Sequence, residues 1–253
     1  MGGQGAKITG VIAALRAEAR CLLEADPRGG NADLQVRISG IGGERAARAA
    51  RQLLDAGAET LLCFGVGGAL DPALHCGDIV LATEVLCSLE GAAKNSAAAF
   101  ARLQTAADWR EGLAERLGPL GRVHIGAVMT SAQLVDSAER KQQLFAHSGA
   151  LAVDMESAAV GRVACERGVP FMALRVIADT AQDSLPPVLH VALGEGGAFP
   201  HGVRFWWSLL SAPSGWPALA RLGRRYQRAR VVLARCGRAG VAWQLPAVAV
   251  LPS

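Results

Sequence analysis

AVDMESAAVGRVACERGVPFMALRVIADTAQD, residues 152–183, decides the fold. The stretch opens with two carboxylates on either side of Met155 and continues as a small-residue helix pattern that ends at Gly-Val-Pro. The apolar run 171–177 then predicts a buried strand. Arg175 and Asp179 lie at the carboxyl end of this strand, where open α/β sheets build their ligand sites. The stretch therefore predicts an α/β fold with a binding site at that edge of the sheet.

The rest of the chain alternates between strand and helix patterns, which favours an α/β sheet. The predicted strands cover residues 7–15, 34–41, 60–64, 77–85 and 123–129, and the predicted helices cover residues 16–25, 44–56 and 137–147. Residues 88–107 are rich in alanine and give no clear pattern.

A glycine-rich sequence, Gly65-Val66-Gly67-Gly68, follows the third predicted strand. It is predicted to form a turn whose backbone N–H groups approach the oxygens of a ligand. A dinucleotide-binding fingerprint would require a further glycine at Leu70, so the spacing excludes that class of site.

Composition excludes several classes of protein. The chain has 253 residues, of which 51% are hydrophobic and 19% charged, so it can build one large folded domain. Its six cysteines are scattered without a C-x-x-C pair, which argues against a zinc site or a disulfide framework and favours a reducing compartment. No signal peptide or membrane-spanning run is found. A cytoplasmic protein is expected, with no metal site.

Charge is distributed unevenly along the chain. Eight arginines and no acidic residue follow Gly202, whereas the part before it carries more acidic than basic residues. Four of the five tryptophans also lie in this last part. Within it, Leu222, Tyr226 and Leu233 share one face of a predicted helix, and the opposite face is rich in arginine. A basic amphipathic helix of this kind, within residues 203–238, is typical of a membrane-surface element. The alternative is that this helix packs on the domain and exposes its arginine face to solvent. Binding of nucleic acid through the arginines is a third option, but the sequence has no motif that supports it.

The sequence AVDMESAAV…GVPFMALRVIADTA resembles the signature of the purine nucleoside phosphorylase and methylthioadenosine/S-adenosylhomocysteine nucleosidase superfamily. The block LLCFGVGGALDPALHCGDIVLATEV, residues 61–85, is similar to a second motif of that superfamily. The resemblance implies a three-layer fold with a central mixed sheet. It assigns residues 1–200 to the catalytic domain and leaves 201–253 as a basic, tryptophan-rich helical extension.

The resemblance also implies roles for individual residues. Met155 and Glu156 would hold the ribose, and Asp179 would protonate the purine at N7 while Arg175 holds it in place. Glu18, just past the first strand, matches the last glutamate of a cluster that activates the attacking water. A carboxylate can act as a general base if burial raises its pKa. Without the resemblance, an ordinary solvated helix carboxylate is the favoured interpretation of Glu18.

The base-binding segment departs from the family pattern. MTSAQLVDSAERKQQL, residues 129–144, matches the segment whose phenylalanine stacks on adenine in the nucleosidases. The matching position is Gln133, followed by Leu134. We expect contacts between this segment and the base, but no aromatic face at Gln133.

The phosphate-binding positions depart as well. Family members that use phosphate place arginine, serine and a further arginine where this chain has Cys63, Val66 and Ala17. A phosphate dianion needs cationic or multiple N–H donors. These departures favour water as the nucleophile, although Arg16 or Arg45 could substitute and keep inorganic phosphate open as a co-substrate. No other cofactor is expected.

The region after residue 185 is similar to the hopanoid-associated phosphorylases, through its Asp…Leu-Pro-Pro segment and its arginine-rich helix. That resemblance implies removal of adenine from adenosylhopane, a lipid-linked nucleoside, at the inner membrane face. An ordinary methylthioadenosine/S-adenosylhomocysteine nucleosidase is the alternative, and a non-catalytic membrane-bound nucleoside sensor is a third. A homodimer is implied by the family only.

Overall fold

The computed structural model describes residues 8–23, 34–88, 100–186 and 216–240. Its strands are β1 (Thr9–Ala13), β2 (Leu34–Ile38), β3 (Thr60–Ala69), β4 (Ile79–Ser88), β5 (Phe100–Gln104), β6 (Val123–Thr130), β7 (Ala152–Asp154) and β8 (Phe171–Asp179). Its helices are α1 (Arg16–Leu23), α2 (Gly43–Asp55), α3 (Ala107–Leu117), α4 (Ala138–Ser148), α5 (Ser157–Arg167) and α6 (Trp216–Arg238). The predicted α/β class is confirmed.

In the described part of the chain the strands form one mixed sheet in the order β2-β1-β3-β7-β6-β4-β5, with β8 pairing with both β3 and β4. The path β3-β7-β6-β4-β8 therefore closes on itself. β8 runs parallel to β3 and antiparallel to β4. The closed path brings the ends of β3, β7 and β8 together, and the site residues lie there.

Alternating residues of β3 and β8 serve two separate hydrophobic cores. Leu61 and Cys63 pack with α2 and α5, whereas Leu62 and Phe64 face the side of α1, α3 and α6. This period-two alternation is what a sheet covered on both faces requires. The three-layer arrangement predicted from the family resemblance is confirmed.

The glycine-rich segment is not a turn. β3 continues through Gly65, Val66, Gly67 and Gly68 and ends only at Ala69. Residues 65–68 pair with β8, and this pairing keeps the backbone extended. The predicted turn at this place is therefore wrong. The glycines instead leave space for side chains that pack closely against β3.

The last described element, α6, packs against α1 and β8. Ala229, Leu233 and Cys236 are completely buried in the core that α1 and α3 share. A Cβ atom on Gly237 would overlap the carbonyl oxygen of Cys21, so the two helices are in close backbone contact. The predicted apolar face of this helix is confirmed. It is covered by the domain, as the packing alternative expects.

The opposite face of α6 is solvated. The exposed arginines on it are Arg221, Arg224, Arg228, Arg235 and Arg238. No helix within the described residues is long and apolar enough to cross a membrane. The predicted domain boundary at residue 200 and the tryptophans at 206, 207 and 243 lie outside the described residues.

Candidate active site

Glu18 lies in the first turn of α1, directly after β1, and only 3% of it is exposed. Its Oε2 atom accepts a hydrogen bond from the backbone N–H of Leu15 at 2.9 Å, and its Oε1 atom accepts one from Val66 at 3.0 Å. Burial raises the pKa of this carboxyl above its ordinary value, and the two backbone N–H groups oppose the shift. Glu18 is therefore not the solvated helix residue of the alternative interpretation.

Glu18, Glu156 and Arg175 line a small cavity together with Gly65 and Val66. Its volume is about 10 Å³, close to the space that one water molecule occupies. A water molecule here would lie beside the residues Glu18, Glu156 and Arg175. The structure thus brings the two glutamates, distant in sequence, to one point.

Glu156 is buried at the start of α5, where the chain leaves β7. Its Oε1 atom accepts a hydrogen bond from the backbone N–H of Gly42 at 2.8 Å. Burial and, secondarily, the negative charge of Asp154 raise the pKa of Glu156 to about 7. The adjacent Met155 is partly exposed and faces the open side of the site.

Arg175 does not hold Asp179, contrary to the prediction. Its Nε atom donates to Asp154 Oδ2 at 2.8 Å, and one terminal nitrogen donates to Ser157 Oγ at 3.0 Å and to Cys63 Sγ at 2.8 Å. The physical reason is a register shift between β3 and β8 at Gly67/Gly68, which breaks the alternation of side chains between Arg175 and Asp179. Arg175 therefore faces the start of α5.

Asp179 lies at the end of β8, opposite Gly68, and is paired with Lys141 from α4. It is 8% exposed. Burial raises the pKa of the Asp179 carboxyl, and the ammonium group of Lys141 opposes the shift.

Two glycines of β3 make room for the two carboxyl groups. A Cβ atom on Gly65 would lie 2.7 Å from Glu18 Oε1, and one on Gly68 would lie 3.0 Å from Asp179 Oδ2. These contact points are three residues apart, or about 10 Å along an extended strand. Glu18 and Asp179 therefore lie beside the same strand, each at its own cavity.

A second cavity, of about 60 Å³, lies beside Asp179. Its lining includes Gly68, Gln133, Leu134, Val135, Met155, Asp179 and Leu185. The predicted base-binding residues Gln133 and Leu134 are thus brought to Asp179 and to Met155. Gln133 is exposed, and its backbone carbonyl oxygen accepts a hydrogen bond from the hydroxyl group of Ser131 at 2.6 Å.

A large groove of about 920 Å³ opens from Met155 and Gln133 and runs along α2 and α5. Apolar side chains such as Met129, Leu144 and Val163 line it, interrupted by charged residues of α2 and α5. Its volume lies at the upper end of the range of small-molecule sites.

The positions at which phosphate-using relatives carry cationic or hydroxyl groups are occupied differently here. Cys63 is buried, and burial raises the pKa of its thiol to about 11, so it stays neutral. The backbone N–H of Val66 is taken by Glu18. Arg16 is exposed at the start of α1, and Arg45 lies over Gly40. Neither arginine lines the cavity between Glu18 and Glu156.

Two features of the site were not predicted. Lys141, which is completely buried against Asp179, comes from the polar run Ala-Glu-Arg-Lys-Gln-Gln, in which nothing distinguishes it from its exposed neighbours. The backbone N–H of Gly42 holds Glu156, and the glycines at positions 40, 42 and 43 are the sequence signal that could have indicated a close backbone approach there. Among the described residues no group of three histidine, cysteine or carboxylate side chains could hold a metal ion.

The sequence matches the model of the phosphorylase superfamily over residues 34–192. The chain belongs to the phosphorylase superfamily. The superfamily predicted from the motifs of residues 61–85 and 152–183 is confirmed.

Solved structures show the same fold for this phosphorylase-superfamily chain. The methylthioadenosine/S-adenosylhomocysteine nucleosidase of Helicobacter pylori is 22% identical, with a TM-score of 0.67, and the match covers 92% of this chain and 97% of that one. Futalosine hydrolase of Helicobacter pylori is 21% identical, with a TM-score of 0.69 and the same coverage. A putative methylthioadenosine nucleosidase of Weissella paramesenteroides is 25% identical, with a TM-score of 0.65 and coverage of 91% and 98%.

Proposed function

We propose that the protein hydrolyses the N-glycosidic bond of an adenine nucleoside. The observation that carries the proposal is the placement of Glu18 and Asp179 at two glycines of β3, with a water-sized cavity beside Glu18 and a second cavity of about 60 Å³ beside Asp179. The named activities of the structural neighbours, which include methylthioadenosine nucleosidases and futalosine hydrolase, support the same class of reaction.

The reaction follows from this placement. The bond between C1′ and N9 breaks, and its electron pair goes to the purine. Asp179 gives a proton to N7 of the leaving base, so the base departs without a net negative charge. A water molecule between Glu18 and Arg175 attacks C1′ and passes its proton to Glu18. The products are adenine and a free sugar.

The remaining residues position the substrate. Glu156 accepts hydrogen bonds from ribose hydroxyls, and Met155 packs against the sugar. Leu134 and the backbone around Gln133 border the base. Each acts by orientation and by electrostatics in a site of low water content.

Water is proposed over phosphate as the nucleophile. A cavity of about 10 Å³ accommodates a water molecule but not a phosphate ion. The guanidinium of Arg175 is already paired with Asp154, and the position of a phosphate-binding arginine carries the neutral thiol of Cys63. Phosphorolysis would require this cavity to open and a further cation to enter it.

For the 5′ substituent we propose a bulky apolar group, with adenosylhopane as the substrate. The groove of about 920 Å³ that opens at Met155 is far larger than a methylthio group needs. The resemblance of the region after residue 185 to hopanoid-associated enzymes supports the same choice. Methylthioadenosine and S-adenosylhomocysteine are the second candidates, supported by the named activities of structures with the same fold.

An incubation of the purified protein with adenosylhopane, methylthioadenosine or S-adenosylhomocysteine tests the proposal. Released adenine and the sugar product are quantified with and without inorganic phosphate. We expect adenine and a free sugar at a rate independent of phosphate, and the highest kcat/KM for the lipid-linked nucleoside. Absence of adenine from all three reactions would refute the proposed function, and a sugar 1-phosphate would refute hydrolysis.

We further propose that the arginine face of α6 contacts the anionic surface of the inner membrane, where a lipid-linked substrate would be found. Each arginine near an anionic surface contributes roughly 1 kcal/mol to such binding. Changing Arg224 and Arg228 to Gln should weaken flotation of the full chain with anionic vesicles, whereas the same changes at Arg48 and Arg167, which are exposed elsewhere, should not. Equal flotation of the two double variants would contradict this role for α6.

A homodimer is proposed from the family resemblance, and light scattering measures the oligomeric state.

A further inference from the structure

Lys141 is a completely buried lysine whose hydrogen-bonding capacity is fully used. Its Nζ atom donates to Asp179 Oδ2, to the carbonyl oxygen of Thr180 at 2.9 Å and to the carbonyl oxygen of Asp183 at 2.9 Å. An ammonium group has three N–H donors and no acceptor, so these three bonds satisfy it. The geometry fits a charged lysine rather than a neutral amine.

The loop that follows β8 is fixed by the same cluster. Asp183 Oδ2 accepts hydrogen bonds from the backbone N–H of Thr180 at 2.8 Å and from its hydroxyl at 2.7 Å. Arg225 of α6 pairs with the same carboxylate. Lys141 therefore joins Asp179 to a loop that is itself held by internal hydrogen bonds and by α6.

We propose that Lys141 is a positioning residue for Asp179. Lys141 fixes one carboxyl oxygen of Asp179 and leaves the other oxygen for the purine base. It also stabilises the carboxylate that remains after Asp179 has given up its proton. The inference rests on the proposed function, in which Asp179 is the acid. It assigns a role in the reaction to a residue of α4 that does not itself border the cavity beside the base.

The electrostatic surroundings of Asp179 support this assignment. The titratable groups that act on it are Lys141 of α4, Asp183 of its own loop, Arg225 of α6 and Cys76 before β4. Lys141 is the largest of the influences that lower the pKa of Asp179, against the dominant effect of burial. Removal of the ammonium group should therefore raise this pKa further, because the largest influence that opposes burial is then lost and the smaller one of Arg225 remains.

The pH dependence of kcat/KM for adenine release tests the proposal in Lys141→Met and wild type. The wild-type rate should fall at high pH as Asp179 loses its proton. In Lys141→Met that alkaline limb should move to higher pH, and kcat at the optimum should fall by about 100-fold because the carboxyl group is no longer held. Lys141→Arg, which keeps the charge, should leave the limb close to its wild-type position. Gln142→Met, a change of the exposed next residue, should alter neither quantity.

A second variant covers the case in which Lys141→Met does not fold. Lys141→Gln keeps N–H donors for the loop carbonyls and removes only the charge, so the same shift of the alkaline limb is expected. A folded Lys141→Met or Lys141→Gln protein with a lower rate and an unshifted profile would overturn the role of Lys141. Loss of all adenine release in the wild type would instead overturn the proposed function, so the two failures are distinguishable.

Discussion

Glu18 and Asp179 are both buried carboxyl groups, but their hydrogen-bond partners differ in a way that suits the opposite roles proposed for them. Glu18 is held by two neutral backbone N–H groups, whereas Asp179 is held by the ammonium group of Lys141. Glu18 keeps acceptor capacity towards the cavity beside it, as a base requires. The positive charge next to Asp179 stabilises the carboxylate that an acid leaves behind.

Glu156 should make the stability of the protein depend on pH. Its pKa is about 7 in the folded state, against an ordinary value of 4.5, so the folded state binds this proton more tightly than the unfolded state does. Below pH 4.5 Glu156 is protonated in both the folded and the unfolded state, so it adds no pH dependence to the free energy of unfolding. As pH rises above 4.5 and through 7, the free energy of unfolding decreases. Urea unfolding of wild type and Glu156→Gln at pH 5 and pH 8 measures the effect. The wild type should lose up to about 3 kcal/mol more than the variant, and equal losses would contradict the raised pKa.

Gly65→Ala should reduce activity without unfolding the protein. The new Cβ atom would lie 2.7 Å from Glu18 Oε1, the far end of a side chain that can move. Because Glu18 would then lose its bond to Val66, kcat for adenine release should fall by about 100-fold while the melting temperature changes little. Gly112→Ala, on α3 with no atom near the new group, is the matched control. Full activity of Gly65→Ala would mean that the position of Glu18 does not matter.

At the scale of single residues, the family resemblance pointed to Glu18, Glu156 and Asp179 but not to their partners. The structure shows that all three carboxyl groups are buried. The pairing of Arg175 with Asp179 was predicted wrongly, because a one-residue register shift between β3 and β8 has no signature in the sequence of either strand. Lys141 was missed because burial of one lysine in a polar helix depends on tertiary packing alone.

At the scale of elements, β3 shows how glycine misleads sequence analysis. Glycines after an apolar run usually mark a turn, yet here they extend the strand and provide close approach for side chains. The clash of a Cβ atom with Glu18 at Gly65 and with Asp179 at Gly68 explains the composition of the segment. Glycine in an extended strand therefore indicates approaching groups as well as turns.

The docking of α6 can be tested at the same scale with two glycines of one helix. Gly237→Ala would push a Cβ atom into the backbone of α1 at Cys21, which cannot move cheaply, so we expect a loss of about 1–3 kcal/mol. Gly223→Ala has open space and should stabilise the helix by roughly 0.5–1 kcal/mol. Chemical denaturation measures both variants. A Gly237→Ala protein as stable as Gly223→Ala would show that α6 does not pack on α1 as described.

At the scale of the whole molecule, the α/β class followed from alternating patterns and the three-layer order followed from the family resemblance. The sequence did not predict that β3, β7, β6, β4 and β8 close into one path. The reason is that β7 has only three residues and the pairing of β8 with β4 covers only three positions. Elements this short carry too little periodicity to be found in a sequence. The site depends on this closure, since it places Asp154, Asp179 and Gly68 at neighbouring strand ends.

The most direct test of the account is adenine release by Asp179→Asn compared with wild type, with nucleoside binding measured on the same samples by calorimetry. We expect kcat to fall by about 10²- to 10⁴-fold, the range of a lost general acid, while nucleoside binding is retained. Unchanged turnover would contradict the assignment of Asp179 as the acid. Binding without turnover in the wild type itself would show a nucleoside sensor rather than an enzyme.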